Sequence, residues 1–171
     1  MKRLRILHIG KYFPPAPGGM ETYLRDLMNV QMRHGLSVSA IVHSTDRLLS
    51  DSQEDFYPLP TEAYQVTRVA RWFNLGYVPI SPLIFLAFVK KIRSFQPDVI
   101  HIHYPNASAL WLLLSPAARR VPWVIHWQSD ILTKSSDWKL KAAYKIYGYF
   151  ENKLLKKTAR IIVTSPNYLF D

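Results

Sequence analysis

The chain has 171 residues, 49% apolar and 20% charged, which is enough to bury a core and too apolar for global disorder. Cysteine is absent, which excludes a disulfide framework, a thiolate nucleophile and a Cys-ligated zinc, and fits a reducing compartment. Lys and Arg number 22 against 12 Asp and Glu; the net charge of +10 favours nucleic acid, anionic lipid or phosphorylated small molecules as partners.

Along the chain, apolar runs alternate with helical patterns. Leu4 to Ile9 reads as a buried strand, and Arg5 and His8 break it up too much for a secretory signal. Gly10 to Gly19 is a loop rich in Pro and Gly. Met20, Tyr23, Leu24, Leu27 and Val30 then form one helical face, with Gly35 after His34 as the C-terminal cap. Ser37 to His43 is a second strand, Ser44 to Thr61 a long polar surface loop, and Tyr64 to Ala70 a third strand. Trp72 to Val89 is the most apolar stretch. Asn74, Gly76, Pro79, Ser81 and Pro82 keep it short of the roughly 20 apolar residues of a spanning helix, so it reads as a loop and then a buried helix. Ser81-Pro82 supplies a cap and a first-turn proline for a helix over Leu83 to Phe95, and Lys90, Lys91 and Arg93 suit the dipole of its last turns. Asp98 to His103 is a fourth strand, Ala107 to Arg119 an apolar helix bent at Pro116, and Trp123 to Trp127 a fifth strand. Asp137 to Lys157 is a long helix, and Arg160 to Thr164 a sixth strand. No internal repeat or low-complexity tract is visible.

This alternation, with near-continuous apolar strands, predicts an α/β fold: a Rossmann-like, doubly wound parallel sheet covered on both faces. Ligands in such sheets bind beyond the carboxyl ends of the strands, which selects the loops after Ile9, His43, His103 and Trp127.

Four constellations could carry chemistry. Gly18 and Gly19 stand at the entry of the first helix, where missing Cβ atoms, free N–H groups and the dipole favour a phosphate; a tight turn without a ligand is the competing reading. Neither G-x-G-x-x-G nor the P-loop pattern occurs there, which argues against NAD binding and NTP hydrolysis. His126 ends the fifth strand at the ligand edge, placed either for hydrogen bonding and acid–base work or as a satisfied core histidine. His101 and His103 share a strand face. A three-histidine zinc site with His126 can be drawn, but a hydrogen-bonded structural pair is favoured, and His103, nearer the strand end, is the better ligand contact. In the last long helix, Leu140, Ala143, Tyr144, Tyr147, Phe150 and Leu154 share one face and Lys141, Lys145, Lys153 and Lys156 the other. This suits either a docked helix with a solvated back or a surface that sits on anionic lipid. No G-x-S-x-G elbow supports a serine hydrolase. Nucleic acid has only the charge in its favour and is not expected as a partner.

Three motifs occur in order: Pro17-Gly18-Gly19-Met20-Glu21 opening the first helix, Gln96-Pro97-Asp98-Val99-Ile100-His101-Ile102-His103 entering the fourth strand, and Val121-Pro122-Trp123-Val124-Ile125-His126 followed by Asp130. Together with Ala159-Arg160-Ile161-Ile162-Val163-Thr164-Ser165, they resemble the N-terminal, acceptor-binding domain of family-four glycosyltransferases of the GT-B fold, over nearly the whole chain. The resemblance implies two Rossmann-like domains facing a cleft and retaining sugar transfer from a nucleotide-sugar donor, with no obligatory metal and no other cofactor. It implies that Gly18 and Gly19 approach the donor phosphates and sugar and that His126 contacts the transferred sugar. Glu21, His103 and Asp130 are expected as acceptor or cleft contacts.

That family's E-x7-E element belongs to its second, donor-binding domain; Glu54 and Glu62 have the spacing by coincidence, flanking Pro58 and Pro60. Residues 1–171 are therefore expected to be the acceptor half, with little catalytic power alone. The expected setting is cytoplasmic, peripheral on the inner face of a membrane, with a glycan or lipid-linked acceptor in surface polysaccharide synthesis. The competing class is a non-catalytic Rossmann-like module that recruits a partner subunit or a membrane.

Overall fold

A computed structural model of the chain describes residues 3–45, 53–58, 63–75, 78–129 and 138–165. Its elements are β1 (Arg5–Ile9), α1 (Gly19–Arg33), β2 (Ser37–His43), β3 (Gln53–Pro58), β4 (Ala63–Val69), β5 (Phe73–Leu75), β6 (Val78–Ile80) and α2 (Leu83–Phe95). Then come β7 (Val99–Tyr104), a 3-10 helix (Ala107–Leu114), α3 (Pro116–Arg119), β8 (Trp123–Trp127), α4 (Trp138–Lys157) and β9 (Arg160–Val163). The main sheet runs β3-β4-β2-β1-β7-β8-β9. Within this sheet the described strands β4, β2, β1, β7, β8 and β9 pair in parallel and β3 joins β4 antiparallel; β5 and β6 form a separate antiparallel pair. This is the Rossmann-like, doubly wound order, and the chain reverses its direction of winding between β1 and β7.

Strand alternation splits the core into two layers. Leu7, Ile9, Ile100, Ile102 and Ile125 face α2, the 3-10 helix and α4 through Ile84, Phe88, Leu112 and Leu154. Ile6, Val38, Ala40, Val42 and Val66 face α1 through Leu24 and Met28. Helix α1 ends as its glycine predicts: Gly35 takes φ 77°, and the amides of Gly35 and Leu36 return to the carbonyls of Met32 and Gln31 at 2.9 and 3.0 Å.

Several expectations change. The stretch read as a loop from Ser44 carries β3, which pairs antiparallel with β4 at the sheet edge. The helix expected over Ala107 to Arg119 is a 3-10 segment and a separate short α3. Ser115, ahead of Pro116, is extended (φ −92°, ψ 109°) because a residue before proline is pushed out of the helical region, and its Oγ accepts from the Ala118 amide at 3.2 Å. Ser81 does not cap α2; its Oγ is buried with no partner among the described residues. Lys91 is buried and donates to Gln65 Oε1 rather than lying near the helix end in solvent. On α1 the buried stripe is Leu24, Met28 and Met32, at helical spacing, while Tyr23 and Val30 are exposed.

Candidate functional site

The sheet register assembles a group of histidines at the winding reversal. His8 of β1 pairs opposite His101 of β7, and His103 of β7 opposite His126 of β8. Alternation directs all four rings to the α1 side, away from Leu7, Ile9, Ile100, Ile102 and Ile125. His8, His101, His103 and His126 are all buried. Ring centroids lie 5.0 Å apart for His8–His101, 4.7 Å for His101–His103 and 5.9 Å for His103–His126.

Hydrogen bonds order the tautomers. His8 Nε2 donates to Gln31 Oε1 on α1 at 2.7 Å, so its Nδ1 carries the lone pair. That Nδ1 lies 3.1 Å from His103 Nε2, which donates to it. Among the described residues, His103 Nδ1, His101 Nε2 and His126 Nδ1 have no hydrogen-bond partner. Burial is the main cause that pushes these rings toward the neutral form. It holds His8 at about 4, opposed by the Gln31 bond. Burial and then the His8 and His126 rings take His101 to about 3; burial and the neighbouring rings hold His103 well below the ordinary value, and burial lowers His126.

The glycine loop meets this group through α1. Tyr23, one turn into the helix from Gly19, lies edge-on to His126 with centroids 4.9 Å apart, and 6.2 Å from His103. The first turn of α1 and His126 therefore share one edge of the sheet. The loop is held from below: buried Arg68 donates to the carbonyls of Phe13 at 3.2 Å and Pro14 at 2.5 Å. Gly10 packs so closely that a Cβ would come within 2.6 Å of Leu24 Cδ2. Gly18 adopts φ 155°, a backbone that side chains disfavour, and a Cβ there would collide with the Glu21 carboxylate. Gly19 has nothing within 4 Å of its would-be Cβ, and α1 starts without a side-chain cap. Lys11 stands by this turn; burial lowers its pKa and the Glu21 carboxylate opposes that shift.

The expected site residues thus divide. Gly18, Gly19, Glu21 and His126 gather at one edge, with Glu21 buried and turned back on Gly18. His103, expected as a ligand contact, is 1% exposed and bonded to His8. Asp130 lies outside the described residues, as does the side chain of Lys141. Lys145, Lys153 and Lys156 are exposed on α4. Phe150, expected on the docked face, is exposed with Ile146 and Tyr149, and the Lys153 ammonium sits 4.4 Å from the Tyr149 ring centre. The docked side of α4 is held by Leu154 and by Tyr104, whose hydroxyl donates to Glu151 and pairs with the Tyr147 hydroxyl at 2.5 Å. Sequence reasoning passed over His8, Tyr23 and Gln31 as site groups. The signal for His8 was its position two residues from Ile6 on one strand face, legible only once β7 is known to be its neighbour.

The model of Glycosyltransferase Family 4 matches residues 17–168. The chain belongs to glycosyltransferase family 4. It is 27% identical over 171 residues to O-antigen chain mannosyltransferase C of Escherichia coli, covering 97% of this chain and 41% of that protein. Among solved structures it is similar to sucrose-phosphate synthase from Thermosynechococcus elongatus (TM-score 0.67, 21% identity, 98% of this chain and 44% of the other). It is also similar to the E. coli trehalose-6-phosphate structure bound with UDP-2-fluoro glucose (TM-score 0.55, 11% identity, 95% and 40%). These structures share the GT-B fold, and the chain corresponds to the N-terminal domain of a family-four enzyme. It spans about two fifths of the curated relative's length. Among the described residues no helix is long and apolar enough to cross a membrane.

Proposed function

We propose that this chain is the acceptor-binding half of a retaining glycosyltransferase that moves a sugar from a nucleotide-sugar donor to a glycan or lipid-linked acceptor in surface polysaccharide synthesis. The observation that carries the reading is the meeting of the glycine turn and His126 at one edge through Tyr23. A donor diphosphate gains charge stabilisation from the uncapped amides of α1 at Gly18 and Gly19. That source of positive potential lets transfer proceed without an obligatory metal. His126, whose burial favours the neutral ring, offers a hydrogen bond to the sugar as oxocarbenium character develops. The donor-binding wall belongs to a second domain, so this half alone is expected to transfer little. The mannosyltransferase relative supports a hexose donor and a polysaccharide setting.

The test is His126→Ala in the complete two-domain enzyme. Sugar transfer is expected to fall about 100-fold, the usual cost of one lost transition-state donor; wild-type transfer would remove His126 from the mechanism. For the membrane setting, the exposed Ile146, Tyr149 and Phe150 beside Lys145 and Lys153 support binding to anionic lipid at the inner face of the membrane. Vesicles with anionic lipid are expected to retain the chain at low salt and release it at high salt, and Lys145→Glu with Lys153→Glu to abolish retention. Equal retention on neutral vesicles would refute the electrostatic account.

A further inference from the structure

The sugar-transfer reading uses His126 and leaves three buried imidazoles unexplained. One ring nitrogen from each of His8, His101 and His103 lies within 4.8 Å of those of the other two. These side chains are 0%, 7% and 1% exposed. Burying three polar rings costs stability unless their nitrogens are satisfied, yet among the described residues His101 Nε2 and His103 Nδ1 have no partner.

We propose that His8, His101 and His103 form a binding site for a divalent transition-metal ion of borderline softness, with Zn2+ the representative. The 3.1 Å between His8 Nδ1 and His103 Nε2 is close to the edge of a tetrahedron. Two nitrogens on one zinc at about 2.0–2.1 Å stand roughly 3.3 Å apart. His101 Nε2, without a partner, supplies a third lone pair from the adjacent position of the same strand face. The outer support that metal-bound histidine needs is already built: Gln31 Oε1 accepts the His8 Nε2 proton at 2.7 Å, fixing the tautomer with Nδ1 free to coordinate. Proton balance is simple. The proton that His103 Nε2 shares with His8 moves to His103 Nδ1, which has no partner now, so a neutral ligand set takes the metal with no net proton release. A fourth position is left for water or an anion. The ion clamps β1 to β7 beneath α1, so its first effect is on the fold rather than on the transferred sugar.

The experiment uses the 171-residue chain stripped of metal and titrated with Zn2+ against a chromophoric chelator, and separately with Co2+. One equivalent of zinc is expected to bind, with a rise in unfolding temperature, a four-coordinate cobalt spectrum in the visible, and a binding heat that does not vary with buffer ionisation. His101→Phe is expected to weaken binding at least 100-fold and Gln31→Leu by about 10-fold, the range for loss of an outer partner. His34→Ala, at the exposed end of α1, is expected to change nothing. Failure of the wild-type chain to bind one equivalent would overturn the site. So would wild-type affinity in His101→Phe, or six-coordinate cobalt. Should His101→Phe lose its fold, the cobalt spectrum of the wild-type chain and the Gln31→Leu affinity decide the question. None of these readouts depends on sugar transfer, so this proposal and the assignment of His126 stand or fall separately.

Discussion

Strand β7 shows the two sides of the molecule within six residues. Ile100, Ile102 and Tyr104 point into the layer under α2, the 3-10 helix and α4, and His101 and His103 point toward α1. Both sets are buried, and the backbone is the same parallel ladder. Along β7 one side holds the sheet through apolar area; the other holds polar rings that burial keeps neutral, while the apolar layer under α1 is supplied by β1, β2 and β4. Both faces of the sheet carry an apolar layer, and it is only at the winding reversal that the α1 face gives up apolar contacts to polar rings.

The sharpest way to break this contrast is to truncate each side in the metal-free chain. Ile102→Ala is expected to cost about 3 kcal/mol in urea unfolding, a large cavity in a tight layer. His101→Phe, which removes a ring with an unpartnered nitrogen, is expected to stay within about 1 kcal/mol of wild type. Equal losses would show that both faces carry stability alike. The next effect is on activity: His126→Ala in the two-domain enzyme should lower transfer about 100-fold while moving the unfolding midpoint of the chain little. A large stability loss with unchanged transfer would reverse the assignment of the two faces.

A third, smaller effect comes from acid. His43 ends β2 on the opposite side, bonded to Ser108 Oγ at 2.7 Å, and burial followed by the Arg71 charge holds it at about 4 instead of 6.5. The folded chain refuses a proton there that the unfolded chain accepts. Stability is therefore full above about pH 6.5 and falls as pH drops toward 4, by up to about 1.4 kcal/mol per unit for this ring. Urea midpoints at pH 7.5, 6 and 5 measure the slope, and His43→Asn should make it shallower. A slope unchanged by that variant would assign the whole acid sensitivity to the rings on the α1 side. The smallest effect concerns the seating of α1 over the histidines: Gly35→Ala, forced to keep φ 77°, is expected to cost about 1 kcal/mol in the same assay.

The sequence by itself determined the alternation of strands and helices, the doubly wound parallel class, the glycine cap of α1 and the place of His126 near the end of its strand. Each of these is written in neighbouring residues: apolar runs of strand length, a Gly-Gly helix entry, a cap glycine after His34. The tertiary structure decided what residues far apart in the chain do to one another. It paired His8 with His101, although 93 positions separate them, and set Gln31 as the acceptor that orients His8. It laid Tyr23 over His126, buried His103, made the polar stretch after β2 into an edge strand and exposed Phe150. The physical reason is that periodicity tells which side of its own element a residue takes, whereas hydrogen-bond register between strands tells which other residue stands there to meet it.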